Sequence, residues 1–173
     1  MSSGGGFSGP EPLGAHHVVD GFNCGYPALD TWLAKHALQS HNAGGSRTRV
    51  VCKDARVVGF YSLAAGNVAT DEAPARVIKG LARHPVPVVV LTRLAVDRSV
   101  QGSGLGTAML KDAFLKVSEI ADVVAVRAVL VNAKDDEAKA WYLARARFAP
   151  APTDPRRLYL LIKDLKATIA SAG

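Results

Sequence analysis

The order of apolar and polar residues along the chain predicts alternating helices and strands from about residue 28 onward. In "PALDTWLAKHALQSHNAGG", Leu29, Leu33, His36 and Ala37 recur at helical spacing with Trp32 beside them. That predicts a helix from Ala28 to Asn42, stopped by Gly44 and Gly45. "SRTRVVCKDARVVGFYSLAAG" predicts a hairpin with strands Arg49–Cys52 and Val57–Leu63 and a turn at Lys53–Ala55. "EAPARVIKGLARHP" reads as a short polar helix or loop. "VPVVVLTRLAV" is β-branched and lacks polar alternation, the pattern of a central strand buried on both faces. A helix follows to about Glu119, with Leu110, Ala113, Phe114 and Val117 on one face and Lys111, Asp112 and Lys116 on another. "VVAVRAVLV" predicts a second buried strand. Asp135–Arg145 predicts a further helix, with Asp135 and Asp136 at its positive end, and "RRLYLLIKDL" a last strand. Strand, loop, helix and strand in the middle form a β-α-β unit flanked by hairpin strands. The fold class is therefore α/β, with a mixed sheet.

The N-terminal "MSSGGGFSGPEPLGA" lacks the basic start and apolar block of a signal peptide. It reads as a flexible tail, residues 1–15, ahead of a single domain, 16–173. No apolar run reaches the roughly 18 residues a membrane helix needs. The expected place is the cytoplasm, with no membrane partner. Cys24 and Cys52 have no paired spacing, and His16, His17, His36, His41 and His84 no ligand spacing, so no metal is expected. The formal net charge of +6 permits a polyanionic partner without requiring one.

The candidate chemistry lies in "RLAVDRSVQGSGLGTAML", between the central strand and its helix. A loop that feeds a helix N-terminus aims free backbone N–H groups at one spot, and glycines leave room for an anion to reach them. Gly102, Gly104 and Gly106 thus predict a phosphate or pyrophosphate cradle; the alternative is a turn that needs glycine for its geometry alone. Gly106 is followed by Thr107 and Ala108, which excludes a nucleotide-triphosphate loop. Only Leu105 separates Gly104 from Gly106, and the next strand ends Leu130–Val131–Asn132 with no acid, which excludes the dinucleotide fingerprint.

Gln101-x-x-Gly104-x-Gly106 after "LAVDRSV" resembles the acetyl-coenzyme A loop of the GNAT family of N-acetyltransferases, and the resemblance runs from about Gly21 to Leu165. It implies a mixed twisted sheet with helices on both faces and a splayed parallel strand pair holding acetyl-CoA. It implies that the loop of Gln101, Gly102, Ser103, Gly104, Leu105, Gly106 and Thr107 binds the pyrophosphate. Leu94, Ala95 and Val96 would bond the pantetheine arm through their backbone. Tyr142, in "AKAWYL", would sit beside the sulfur as a general acid; the pattern alone favours a core aromatic beside Trp141, and it is the resemblance that favours catalysis. Asn132 would bond the pantetheine or the acceptor, or simply end its strand. Asp97 is expected to shape the turn.

Five segments together are similar to the acetyltransferase toxins of bacterial type II toxin–antitoxin pairs: "NCGYPALDTWLAKHALQSHNAGGSRTRVV", "VVGFYSLAAGNV", "LTRLAVDRSVQGSGLG", "DEAKAWY" and "PAPTDPRRLYLLIKDL". That resemblance implies acetyl transfer to the α-amino group of aminoacyl-tRNA, which blocks translation. It also implies a ribbon-helix-helix antitoxin, operator DNA reached through that antitoxin, and a homodimer. The alternatives are an enzyme acting on a small amine or a protein N-terminus, and a weakly catalytic CoA-binding partner of a repressor. "YLARARFAP" departs from the family pattern: its turn lacks glycine and Phe148 comes one residue late. Arg93, alone in an apolar strand, either supports the fold or meets substrate. Lys35 with Arg47 and Arg49, Arg76 with Lys79 and Arg83, and Arg145, Arg147, Arg156 and Arg157 fit an RNA phosphate track or solvated faces.

Overall fold

The computed structural model describes residues 6–81 and 85–172, so Arg83 and His84 of the sequence reading lie outside the described residues, as do residues 1–5. The strands are β1 (Phe7–Pro12), β2 (Arg47–Lys53), β3 (Arg56–Val68), β4 (Val86–Val96), β5 (Ala128–Asn132), β6 (Ala149–Pro150) and β7 (Arg157–Leu161). They hydrogen-bond in the order β1-β2-β3-β4-β5-β7-β6. The helices are α1 (Pro27–Lys35), α2 (Ala37–Ala43), α3 (Ala75–Ile78), α4 (Leu105–Ala121), α5 (Asp136–Leu143) and α6 (Ile162–Ala172). None is long and apolar enough to cross a membrane. The chain forms two compact units. One holds the residues up to Ala64 with Thr92–Asp112; the other holds Ala65–Leu91 with the residues from Ala113 onward.

In the first unit the β2–β3 hairpin turns on Asp54 and Ala55, both at positive φ (54° and 66°). Two consecutive left-handed residues match the twist of antiparallel strands. The core here gathers Leu13, Phe22, Leu33, Ala37, Val50, Phe60 and Ala95. Two expectations need correction. The helix expected from Ala28 to Asn42 is broken at His36 (φ −126°), which is exposed, while Leu33 and Ala37 are buried. The break loses no main-chain bonding there: His36 N–H donates to Trp32 O and Ser40 N–H to His36 O. The tail expected over residues 1–15 is a strand from Phe7 to Pro12, pairing antiparallel with β2 from Phe7↔Lys53 to Pro12↔Arg49. Its glycines and prolines read as coil. Pairing with the open edge of β2, and burial of Leu13 whose N–H donates to Thr48 O, offset the entropy of ordering it.

In the second unit β5 pairs parallel with β4 from Val88↔Ala128 to Leu91↔Val131, and antiparallel with β7. Val68, Val77, Val86, Val88, Ala128, Leu130, Tyr159 and Leu161 form its core. The strand expected from Val123 begins only at Ala128. Val123 and Val124 are exposed and donate their N–H groups to Ile120 O, closing the end of α4. The last expected strand stops at Leu161, where the chain turns into α6. Ile162, Leu165 and Ile169 then cover one side at helical spacing.

The end of β4 is tied down by Asp97, which is 3% exposed. Its Oδ1 accepts from the N–H and hydroxyl of Ser99 (3.0 and 2.7 Å). Its Oδ2 accepts from Asn23 N–H (2.9 Å) and faces Arg56 Nη2 at 3.4 Å. Burial by itself would raise this carboxyl. The hydrogen bonds from Asn23 and Ser99, with the Arg56 charge, outweigh it and hold the group below the usual carboxylate range. Asp97→Ala strands buried donors and should cost about 2 kcal/mol in urea unfolding. Because the folded-state value is depressed, that contribution is complete above the unfolded value of about 3.9 and fades as pH falls through the folded one. An unchanged urea midpoint at neutral pH would show that the turn does not depend on this carboxylate.

Candidate active site

The glycine loop lies wholly in the first unit. After Asp97 a 3₁₀ turn, Arg98–Val100, leads to Gln101. The Gln101 side chain donates to Cys24 O (3.0 Å) and Val96 O (2.9 Å), so it staples the loop to the strand end. Gln101 N–H donates to Arg98 O and Ser103 N–H to Val100 O, which commits both amides to the turn. The Ser103 hydroxyl also donates to Val100 O. Gly102 and Gly104 have φ of +82° and +88°, and a Cβ at either would meet nothing within 4 Å. Backbone conformation, not crowding, therefore requires glycine at these two positions. Gly106 sits in the first turn of α4, where the turn itself makes no such demand.

The ladder of α4 starts with Ala108 N–H to Gly104 O (3.1 Å). The amides of Leu105 and Gly106 precede it, and among the described residues no protein acceptor meets them or the amides of Gly102 and Gly104. The positive end of a helix, uncommitted N–H groups and open space on the exposed side make an anion cradle. These features fit a pyrophosphate. Just ahead, β4 runs on through Leu94, Ala95 and Val96 after its last parallel pair, Leu91↔Val131.

The second unit carries Tyr142. Asp135 caps α5 by accepting Ala138 N–H at 2.7 Å. In the last turn Tyr142 is 8% exposed, edge-on to Trp141 (5.0 Å between centroids) and to Phe148 (5.7 Å). Phe148 in turn packs on Phe114. Burial pushes the Tyr142 phenol above its ordinary value near 10, so it holds its proton at neutral pH. Among the described residues no acceptor takes that proton. The turn after it closes without glycine: Arg145 and Ala146 N–H donate to Tyr142 O, and Phe148 N–H to Ala146 O. No residue from Ala144 to Arg147 has positive φ. The extra residue is absorbed in this tight turn, and Phe148 still reaches the Tyr142 ring.

The remaining sequence candidates separate by what their side chains touch. Asn132 is exposed at the end of β5 and pairs with Arg157. Arg49 is taken up by the fold: Nε donates to Asp112 (3.1 Å) and Nη2 to Pro10 O (2.8 Å), and Tyr61 donates to the same Asp112 oxygen. Arg47 donates to His41 O, and Arg145 to Trp141 O while lying over the Trp141 ring. Arg76 pairs with Asp164, Arg157 with Glu72 and Arg156 with Asp136. Arg147 and Lys35 are exposed, and Arg93 lies over Trp32. The sequence reading missed one cluster, Glu11, His17 and Cys52, whose ligand atoms lie within 4.8 Å of one another. His17 Nδ1 accepts Gly14 N–H, so Nε2 carries the proton and donates to Glu11 at 2.7 Å. That leaves the ring no lone pair for a cation.

The first unit thus carries a glycine loop with free amides leading α4, and the second a protonated phenol on the helix after β5. The chain belongs to the acetyltransferase (GNAT) family, which residues 16–147 match. A tRNA-acetylating toxin of Mycobacterium tuberculosis (strain ATCC 25618 / H37Rv) is 48% identical over 164 residues, 95% of this chain and 98% of that one. The structure of AtaT complexed with acetyl-methionyl-tRNAfMet is similar with a TM-score of 0.83 and 26% identity, over 91% of this chain and 96% of that one. A mutant AtaT toxin bound to the C-terminus of the antitoxin AtaR and acetyl-CoA matches with a TM-score of 0.78 and 25% identity, over 92% and 96% of the two chains.

Gly104→Glu places a carboxylate at the cradle and should nearly abolish acetyl-CoA binding in calorimetry. Gly104→Ala carries the same left-handed backbone strain, about 1–2 kcal/mol, without the charge. It should weaken binding far less. Equal losses in the two variants would assign the effect to backbone strain and not to anion repulsion.

Proposed function

We propose that this chain transfers the acetyl group of acetyl-CoA to the α-amino group of aminoacyl-tRNA, as the toxin of a type II toxin–antitoxin pair. The observation that carries the reading is a buried, protonated phenol at Tyr142 whose proton meets no acceptor among the described residues. The near full-length identity to a tRNA-acetylating toxin supports the choice of acceptor. When bound, acetyl-CoA supplies an acetyl thioester; transfer forms an amide and breaks the carbon–sulfur bond. The amides of Gly104, Leu105 and Gly106 hold the pyrophosphate, and the backbone of Leu94–Val96 orients the pantetheine arm. Tyr142 gives its proton to the departing sulfur, and the proton that the amine loses as the amide forms returns to the phenolate through solvent. The acceptor amine lies beside an ester carbonyl that lowers its basicity, so it is substantially neutral near pH 7 and needs no strong protein base. Asn132, at the exposed end of β5, would bond the pantetheine or the acceptor.

The same reading makes the partners a ribbon-helix-helix antitoxin, operator DNA through that antitoxin, and a second copy of the chain in a homodimer, all in the cytoplasm. The solved complexes of AtaT with AtaR and DNA support the antitoxin and the operator. On this reading the exposed cations Lys35, Arg147 and Arg156 would meet tRNA phosphates, Arg147 and Arg156 while facing Asp164 and Asp136.

The test is labelled acetyl transfer to charged tRNA, deacylated tRNA and free amino acids. Label should appear only on the charged tRNA; equal labelling of free amines would replace this reading with a small-amine enzyme. Tyr142→Phe keeps the ring and removes the proton, so turnover should fall roughly 10²–10⁴-fold while acetyl-CoA affinity barely moves. Because burial raises the phenol, the rate should show no alkaline fall from this group up to about pH 10. A full-rate Phe variant would reduce the tyrosine to packing.

A further inference from the structure

Arg93 sits on β4 between the last parallel pair at Leu91 and the strand end at Val96. It lies on the same side of the strand as Ala95, which packs with Leu33 and Ala37 of α1 and α2. Its guanidinium carbon is 3.8 Å from the centroid of Trp32 on α1. Trp32 in turn stacks on Phe60 (6.0 Å, 18° between planes), and Phe60 meets Phe22 edge-on. The result is a rigid aromatic column with a flat cation at its end.

That cation is incomplete. Arg93 is partly buried, and among the described residues no carboxylate pairs with it and no acceptor takes any of its N–H groups. Burial is the one influence on its proton affinity, and it lowers it. Two other partly buried guanidiniums do find protein acceptors: Arg49 at Asp112 and Pro10 O, and Arg127 at Val77 O and Lys79 O. A half-buried guanidinium without a counter-ion pays for its desolvation and, among the described residues, regains only the cation–π contact with Trp32. The cation–π contact holds the guanidinium carbon against the Trp32 ring, and its uncommitted N–H groups are of the number and kind that two oxygens of a phosphate accept. Lys35, one helical turn beyond Trp32 on α1, is exposed and adds a second positive charge.

We infer that Arg93, held flat by Trp32 and assisted by Lys35, is a positioning subsite for a phosphodiester at the acceptor end of the nucleic-acid substrate. The inference rests on the proposed aminoacyl-tRNA reading and names the group that anchors the acceptor next to the donor strand. A phosphate of coenzyme A has the same chemistry, and the measurements separate the two sources.

The probe is a short RNA hairpin with a single-stranded ACCA 3′ end, bound to the full chain and followed by anisotropy across a salt series. This readout does not require acetyl transfer. Arg93→Gln should weaken RNA binding roughly 10- to 100-fold, the loss of one charge-assisted pair of bonds. It should lower the salt slope by about 0.7, one single-strand phosphate contact, with acetyl-CoA affinity unchanged. Arg93→Lys keeps the charge but loses the fork, so affinity should drop while the slope holds. Trp32→Leu frees the guanidinium and should behave like Arg93→Lys. Unchanged RNA affinity and slope in folded Arg93→Gln overturn the inference, as does unchanged affinity in Arg93→Lys should the Gln variant not fold. A loss confined to acetyl-CoA binding also overturns it, by assigning the cation to the donor. If RNA binding depends on Arg93 but charged tRNA takes no acetyl group, the subsite stands and the acetyl-acceptor reading falls.

Discussion

The buried carboxylate of Asp97 holds the donor side of this protein together. It stands where an extended strand must stop, turn and start a helix, and it satisfies three donors from two segments of chain, at Ser99 and at Asn23. Asp97 N–H donates to Val58 O and Arg98 N–H to Asn23 O, so the same knot ties the strand end to β3 and to the segment before α1. With that corner fixed, Gln101 can bridge Cys24 O and Val96 O, and the glycines beyond it can take left-handed backbone without side chains in the way. The free amides of α4 are a product of this corner. Asp97 therefore acts as scaffold, and a carboxylate held below its usual range, with its oxygens already occupied, is a poor base.

Polar work is divided unevenly between backbone and side chains. The cradle is made almost entirely of main-chain N–H groups, which tolerate almost any residue lacking bulk and which no charge count reveals. Side chains do two other jobs. Tyr142 keeps a proton in an apolar surround of Trp141 and Phe148, and a set of arginines is spent on internal pairs. Of the +6 formal charge, part is therefore unavailable to any polyanion: Arg49 is bound by Asp112 and Pro10 O, and Arg76 by Asp164. Net charge alone overstates the surface that could track an RNA.

Strong periodicity made much of this fold legible beforehand. β4, α4, α5 and the β2–β3 hairpin have residue patterns that allow one reading each, and the glycines at Gly102 and Gly104 announced the turn they make. β1 was hidden because its stability comes from the edge of β2 and not from its own Ser-Gly-Pro composition. α6 was hidden because Leu158–Ile162 is a continuous apolar run in which the switch from a period of two to 3.6 leaves no mark. The pairings of Arg49 with Asp112 and of Arg93 with Trp32 join residues about sixty apart, so tertiary contact alone tells a free cation from a spent one. The glycine-free turn after Tyr142 looked like a departure in sequence. In three dimensions it needs no left-handed residue and returns Phe148 to the same ring.

In the proposed function, main-chain N–H groups of one loop and one strand end hold the acetyl donor. Residue-resolved amide hydrogen exchange, with and without saturating acetyl-CoA, tests it most directly. Exchange is expected to slow at Gly104, Leu105 and Gly106 and at Leu94–Val96, with little change at the exposed residues Val123 and Val124. Saturated binding with unchanged exchange at Gly104–Gly106 would contradict it.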